Sequence, residues 1–515
     1  MKRTIFWLML ILTLKAAAQY DEPHRPQLHF SPPANWMNDP NGMVYADGEY
    51  HLFYQYYPNA TVWGPMHWGH AVSRDLVHWE NLPVALAPDK LGLIFSGSAV
   101  LDARNSSGFG TAKKTPLVAM FTYHDMDGEK AGRTDFQYQG LAYSLDKGRS
   151  WTKYDKNPVI PNTEKLKDFR DTKLFWNEAL KQWSVVFAVG DHVRFYSSPD
   201  LKSWTKTGEF GKSDGTHAGV WECPDLFPLT VGGRTKWVLL VSINPGGPNG
   251  GSATQYFVGD FDGKTFRNDN PPQNIFWLDQ GRDDYAGVTW SNAPRGRRIF
   301  LGWMSNWDYA QQVPTAKWRS AMTLPRELGL AETAEGVRLV QNPVRETQAL
   351  RGRKFLSMKN YRLENEMNLD NGGSPLAELE LEIDLAKTPA TKFGVALTNA
   401  KGETYRVGYD AEAKRFFSDR RKAGRNDFSD LFAVKPHTAP RVVTDQTLRL
   451  HLIFDTASME LFADDGTVAM TDIFFPTEDF TRLKFFGLKS ASQWNVPESV
   501  FFTQANAWNL KSIWR

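Results

Sequence analysis

The sequence predicts an all-β protein in two parts, a five-bladed β-propeller over residues 24–340 and a β-sandwich over residues 355–515. Three observations lead there. A turn motif recurs about every 60 residues through the N-terminal two-thirds. Beyond it tryptophan disappears from Trp318 to Trp494 and strict apolar–polar alternation takes over. No long stretch carries helical periodicity.

The recurring motif is an Asp in a tight turn followed by an aromatic residue entering a strand. Ser73-Arg74-Asp75 leads to Trp79, Ser144-Leu145-Asp146 to Trp151, Ser198-Pro199-Asp200 to Trp204, and Asp260-Phe261-Asp262-Gly263 to Phe266. Short polar turns between strands are what a repeated hairpin requires. One repeat of about 60 residues suits a four-stranded propeller blade, and residues 24–340 hold roughly five. In the C-terminal part, Leu376 to Leu385 (LAELELEIDL) alternates as a half-buried antiparallel strand does. Thr447 to Phe454 and Ser458 to Phe462 read the same way, the second ending in an Asp464-Asp465-Gly466 turn. The polar stretch 341–354, with Pro343, Arg345, Arg351 and Arg353, is the expected linker.

At the other end, residues 1–19 have the anatomy of a secretory signal peptide. Lys2 and Arg3 are followed by the apolar run from Ile5 to Leu14 and by Ala16-Ala17-Ala18. That run is about half of the roughly 20 residues a membrane span needs. The expectation is an exported protein, periplasmic or extracellular, without a membrane span after cleavage. Losing Lys2, Arg3 and Lys15 would take the formal charge from +2 to about −1, which argues against a nucleic-acid partner. The single Cys223 excludes an intrachain disulfide, so stability must come from a large core. Aromatic residues make up 13% of the chain, with 19 Trp. Such rings stack on sugar faces and equally fill β cores, so composition does not choose.

Three carboxylates stand in distinctive surroundings, each in a different expected blade. Asp39 lies in Asn35-Trp36-Met37-Asn38-Asp39-Pro40-Asn41-Gly42, whose Asp-Pro-Asn-Gly reads as a β-turn holding Asp39 at a strand end. A capping Asp in a surface turn fits those residues too. Asp171 follows Arg170, which is expected to keep it ionised and to donate to hydroxyls, although such pairs are also common on surfaces. Glu222 sits between Trp221 and Cys223, with Asp225 near in sequence. Weakly polar flanks and like charge would raise its pKa and leave it a proton donor. A buried Glu paired with a distant base is the structural alternative. Hydrolysis of a glycosidic bond needs one carboxylate as nucleophile and another as acid/base, and a propeller brings distant residues to one funnel.

The blocks Trp36-Met37-Asn38-Asp39-Pro40-Asn41-Gly42, Phe169-Arg170-Asp171 and Glu222-Cys223-Pro224-Asp225 resemble the three signatures of glycoside hydrolase family 32, the invertases, inulinases, levanases and fructan exohydrolases. So do Phe53-Tyr54-Gln55-Tyr56, Trp63-Gly64-Pro65, His67-Trp68-Gly69-His70, Phe95-Ser96-Gly97-Ser98, Asp283-Asp284-Tyr285-Ala286 and Gly302-Trp303-Met304-Ser305-Asn306-Trp307, in the family's order. The resemblance implies a retaining β-fructosidase acting on fructans or sucrose. It makes Asp39 the nucleophile, Glu222 the acid/base and Asp171 the transition-state stabiliser. It places Asn38, Gln55, Trp63, Phe95, Ser96, Arg170, Asp283 and Trp303 around a terminal fructose. It implies no metal or other cofactor, and His67 and His70 are expected to be structural. One departure is Thr172, where the family usually has Pro; both residues favour extended backbone, Pro more rigidly.

Other readings are weaker. Ser144 to Trp151 looks like the Asp-box of sialidases, but no cluster of three Arg around a Tyr nucleophile is recognisable. An arabinan- or xylan-cleaving propeller would lack the Asn-Asp-Pro-Asn-Gly block. A non-catalytic glycan-binding relative would be expected to have lost a carboxylate, and all three are present. Ser305 to Tyr309, Pro314-Thr315 and Trp318-Arg319 resemble exo-acting members. The linkage cut, β-2,6 or β-2,1, and endo-cleavage remain open.

Overall fold

The computed structural model describes residues 20–364, 366–488 and 498–514, so the expected signal segment lies outside the described residues. The described chain is almost entirely β, with a single α-helix of five residues, Met126–Lys130. Five antiparallel sheets follow one another between Asn35 and Pro343. Their first strands are Asn35–Ala46, Leu93–Leu101, Phe169–Asn177, Val220–Val231 and Tyr285–Thr289. Each first strand packs on that of the next sheet, and the fifth returns to the first. The short strand Trp318–Arg319 leaves the fifth sheet and pairs in parallel with Asn35 and Trp36, tying the last sheet to the first.

The recurring Asp turns join the third and fourth strands of the first four sheets. In the first, the Asp75 carboxylate accepts from the Val77 and His78 amides at 3.0 and 2.8 Å. In the third, Asp200 accepts from Lys202 and Ser203 at 2.9 and 2.7 Å. The Asp-box-like turn from Ser144 to Trp151 is the same device, with Ser150 donating its amide to Asp146 at 2.9 Å. An Asp oxygen here does what a backbone carbonyl does in a tighter turn, which is why the spacing could vary.

All five first strands share a second irregularity. Near its start each has one residue too many against its neighbour, the two-against-one count of a β-bulge. The extra pairs are Asn38-Asp39, Phe95-Ser96, Asp171-Thr172, Cys223-Pro224 and Ala286-Gly287. This corrects the expectation for the Asp-Pro-Asn-Gly block. It is not a β-turn at a strand end but lies inside the first strand, with Pro40 opposite Tyr54. Gly42 is required there: it has φ of 54°, and a Cβ would lie 2.5 Å from the Phe53 ring and 2.8 Å from Trp68.

The C-terminal part is two six-stranded sheets packed face to face around a core that includes Leu379, Leu381, Tyr405, Leu450, Leu461 and Phe485. The alternating segment forms the strand Ala377–Asp384, and Thr447–Phe454 and Ser458–Ala463 follow beside it. Of the polar stretch 341–354, residues 341–343 close a strand of the fifth sheet. Residues 351–354 open a strand of the sandwich, with the 3-10 turn Arg345–Leu350 between them.

The two parts meet over a buried, charged seam. Arg326 of the fifth sheet donates to Glu460 of the sandwich at 2.6 and 3.0 Å, and to Asp279 and Asp284 at 3.0 Å each. His29 lies between Asp455 at 2.7 Å and Glu460 at 2.8 Å. Burial lowers the His29 pKa, but hydrogen bonds and charge from both carboxylates outweigh it and hold the imidazolium up to about 9. A histidine whose folded pKa lies above its unfolded 6.5 contributes stability below pH 6.5 and loses it as pH rises through 9. The unfolding midpoint is therefore expected to fall between pH 6.5 and 9, and His29→Gln to flatten that slope, measured by thermal denaturation across the range. An unchanged slope in the variant would show that other groups set it.

Candidate active site

The bulges gather the chemistry. At the first, Asp39 accepts from the Ser96 hydroxyl at 2.7 Å and from the Asn38 amide at 2.9 Å. Asn38 is itself oriented by the Trp36 indole N–H at 2.7 Å. At the third bulge Asp171 takes φ of 67°, a left-handed conformation a side chain rarely adopts without support. Support comes from one strand of the neighbouring second sheet, Leu117–His124: the Asp171 amide donates to the Thr122 hydroxyl at 3.1 Å, and the Thr172 hydroxyl donates to the Met120 carbonyl at 3.0 Å. Thr172, the departure from the family pattern, thus anchors its bulge by a hydrogen bond that Pro could not make.

At the fourth bulge Cys223 joins two of the carboxylates. Its amide donates to Asp171 at 3.1 Å and its thiol to Asp39 at 3.5 Å. Burial and the surrounding carboxylates push the thiol pKa well up, so the sulfur stays protonated and acts as a donor. Glu222, one residue earlier, accepts from Arg170 Nη2 at 2.8 Å and Nε at 3.3 Å. Its other oxygen accepts from the Tyr285 hydroxyl, supplied by the fifth bulge.

These contacts correct two expectations. The groups on Glu222 are Arg170 and Tyr285, not its sequence neighbours. Trp221 points into a hydrophobic cluster and donates to Thr216, while Asp225 pairs with Lys173 at 3.0 Å and with Thr289. Adjacent residues on a strand face opposite ways, so sequence proximity misled. Second, Arg170 does not keep Asp171 ionised. It lies 3.7 Å from Asp171 but 2.6 Å from Asp168 and 2.8 Å from Glu222. Burial dominates; despite Arg170, the charges of Glu222 and Asp39 add to it and push Asp171 up to about 7. Burial also raises Asp39, with Glu222 adding to it and the Ser96 and Asn38 donors opposing.

Around the carboxylates, Gln55 sits opposite the Asn38-Asp39 bulge, buried, with its Nε2 donor unsatisfied. Trp303 pairs with Tyr285 across the fifth sheet and likewise leaves its indole N–H without a partner. A buried donor without an acceptor is costly, about 1–3 kcal/mol, and is what a site for hydroxyl groups leaves free. Trp63 and Phe95 meet edge to face at 6.1 Å in the same apolar cluster as Trp36 and Trp303. His67 meets the Pro65 carbonyl, while His70 is stacked 4.0 Å from Phe53 and hydrogen-bonded to His51 at 3.1 Å, none of them a carboxylate of the site.

Asp283 is the expected ligand that lies elsewhere. It is fully buried against the sandwich, accepting from Arg420 at 2.7 Å, Tyr309 at 2.5 Å and the Ile473 amide at 3.0 Å. Fully buried, with all three of its donors in the domain seam, it makes no hydrogen bond, among the described residues, to those around Asp39 and Glu222. Tyr285, two residues on, is the member of that block that reaches the carboxylates. It and Cys223 went unassigned in the sequence reading, although both lie inside the quoted blocks.

Known proteins resemble this chain over most of its length. The Glycosyl hydrolases family 32 N-terminal domain matches residues 29–343 and the Glycosyl hydrolases family 32 C terminal matches residues 346–509. A levanase of Bacillus subtilis (strain 168) is 48% identical over 493 residues, 94% of this chain and 71% of that protein. An extracellular exo-inulinase of Aspergillus awamori is 38% identical over 538 residues, 98% of each chain. The crystal structure of exo-inulinase from Aspergillus awamori superposes with a TM-score of 0.87 at 37% identity, covering 96% of this chain and all of the other. The β-fructofuranosidase of Schwanniomyces occidentalis complexed with fructosyl-erythritol gives 0.86 at 33%, covering 96% and 99%. With both domain descriptions matched in order across nearly all of the described chain, this protein belongs to glycosyl hydrolase family 32.

Proposed function

We propose that this chain is an exported, retaining β-fructosidase that releases terminal fructose from fructans and sucrose. The observation that carries the reading is Asp39, held by the Ser96 hydroxyl and Asn38 amide, close enough to feel the charge of Glu222, which Arg170 and Tyr285 hold, both carboxylates half-buried. Asp39 attacks C2 of the fructosyl unit while Glu222 protonates the departing oxygen. Glu222 then takes a proton from water as that water opens the fructosyl ester on Asp39. Asp171 receives ring hydroxyls, and the unsatisfied donors of Gln55 and Trp303 supply hydrogen bonds to fructosyl oxygens. The ring of five bulged first strands supports a five-bladed propeller over 24–340, with 355–515 as the sandwich and 341–354 as the join.

Exo action is supported by likeness to exo-inulinases along their whole length, and fructan and sucrose use by relatives named levanase and β-fructofuranosidase. Export over residues 1–19 is in keeping with the extracellular relatives. Incubation of the purified protein with levan, inulin and sucrose tests the reading. Free fructose is expected as the first product from at least one of them, released as the β-anomer by early NMR. No fructose from any, or α-fructose first, would overturn it. Oligosaccharides appearing before fructose would favour an endo-acting enzyme.

A further inference from the structure

We propose that Arg420, on the sandwich, is a positioning residue for the acid/base machinery on the other side of the domain seam. Its strand, Arg415–Lys422, belongs to the second sheet of the sandwich, and its side chain is fully buried. Four hydrogen bonds engage all three of its nitrogens. Nη1 donates to Asp283 at 2.7 Å and to the Ile473 carbonyl at 3.0 Å, Nη2 to the Tyr309 hydroxyl at 2.8 Å, and Nε to the Phe432 carbonyl at 2.9 Å. Tyr309 closes the triangle by donating to the other Asp283 oxygen at 2.5 Å. The planar guanidinium lies 3.9 Å from the centre of the Phe432 ring, which leaves it one orientation.

What this triangle holds is the approach to Tyr285. Residues 279–283 run along the sandwich strand Val468–Ile473 as an added partner: Gln280 donates to the Ala469 carbonyl at 2.8 Å, and Arg282 and Asp283 to that of Thr471 at 3.1 Å each. Gly281 admits the contact, since a Cβ there would lie 2.2 Å from the Thr471 carbonyl oxygen. Two residues beyond Asp283 the chain bulges and presents Tyr285 to Glu222. On the other arm, Tyr309 ends the loop in which Trp307 stacks on Trp36 and lies tilted against Trp303. Asn306 in that loop donates to the Arg282 carbonyl at 2.8 Å. One sandwich side chain therefore fixes both the hydroxyl that meets Glu222 and one aromatic wall of the site. A catalytic group misplaced by an ångström loses most of its effect, so this support acts on rate rather than on binding alone.

The inference rests on the reading of Glu222 as acid/base given above. Its test is a double-mutant cycle of Arg420→Lys with Tyr285→Phe, followed on sucrose and on p-nitrophenyl β-fructofuranoside, whose leaving group needs little protonation. Lys keeps the charge beside Asp283 but cannot serve Tyr309 and Phe432 together. Arg420→Lys is expected to lower kcat/KM on sucrose about tenfold with KM within about twofold, and to change kcat/KM on the nitrophenyl substrate, which reports the first step alone, by less than about threefold. In the Tyr285→Phe background the same substitution is expected to lower kcat/KM on sucrose by less than about twofold, as coupled positions require. Equal losses on both substrates, or full multiplicative effects, would overturn the proposal. Should Arg420→Lys fold poorly by thermal denaturation, Tyr309→Phe keeps the ion pair and is expected to give the same pattern with a smaller loss. Glu222→Gln separates the two ideas: full activity there defeats the acid/base reading, whereas non-coupling in the cycle defeats only the role of Arg420.

Discussion

Asp39→Asn is expected to lower kcat on sucrose or levan by roughly 10^4-fold, equivalent to about 5.5 kcal/mol of transition-state stabilisation. The amide is close to isosteric and can still accept from Ser96, so the fold and the neighbouring contacts persist while the nucleophile is gone. No other carboxylate replaces it, because Asp171 is held by the Cys223 amide and Glu222 by Arg170 and Tyr285. Steady-state rates with the purified variant, with circular dichroism to check folding, measure the effect. A loss of less than about a hundredfold would mean that Asp39 does not form the covalent bond.

Glu222→Gln is the second large effect, with a different signature. On sucrose the expected loss is about 10^2- to 10^4-fold, the usual size of general acid–base catalysis. On p-nitrophenyl β-fructofuranoside the first step proceeds without the acid, so Asp39 is fructosylated and the second step, lacking its base, becomes limiting. The fructosyl-enzyme then accumulates, and mass spectrometry is expected to find one fructosyl unit on the peptide carrying Asp39. Azide, an anion needing no base, is expected to restore turnover and to yield the β-fructosyl azide. Absence of both the adduct and the azide effect would remove Glu222 from this role. The two substitutions together separate nucleophile from acid/base, since only the Glu222 variant is rescued.

Much of the site was legible in local sequence because four of the five bulges carry their own signal. Asp39-Pro40, Ser96-Gly97, Cys223-Pro224 and Ala286-Gly287 place a Pro or Gly at or just after the extra pair, where the ladder is broken and an amide donor or a Cβ is dispensable. Those same residues make the blocks recognisable. The Asp39 block nevertheless reads locally as a β-turn at a strand end, since Asp-Pro-Asn-Gly satisfies both geometries and only the pairing partner distinguishes them. The surroundings local sequence implies for Glu222 are not those the fold supplies. Its environment comes from Arg170 and Tyr285, 52 and 63 residues away, and not from Trp221 or Asp225.

By itself, then, the sequence determined the all-β class, the change of architecture after the fifth sheet, the three carboxylates and most of the residues around them. These depend on local patterns: alternation, turn chemistry and short blocks whose backbone geometry is set within a few residues. Only the tertiary structure decided which groups face one another. It moved Asp283 from the sugar to the domain seam and put Tyr285 on Glu222. It also let burial prevail over Arg170 at Asp171, and reached into the sandwich for Arg420. Charge and hydrogen bonding act through space over a few ångströms, and in a ring of sheets those ångströms join residues tens to hundreds of positions apart.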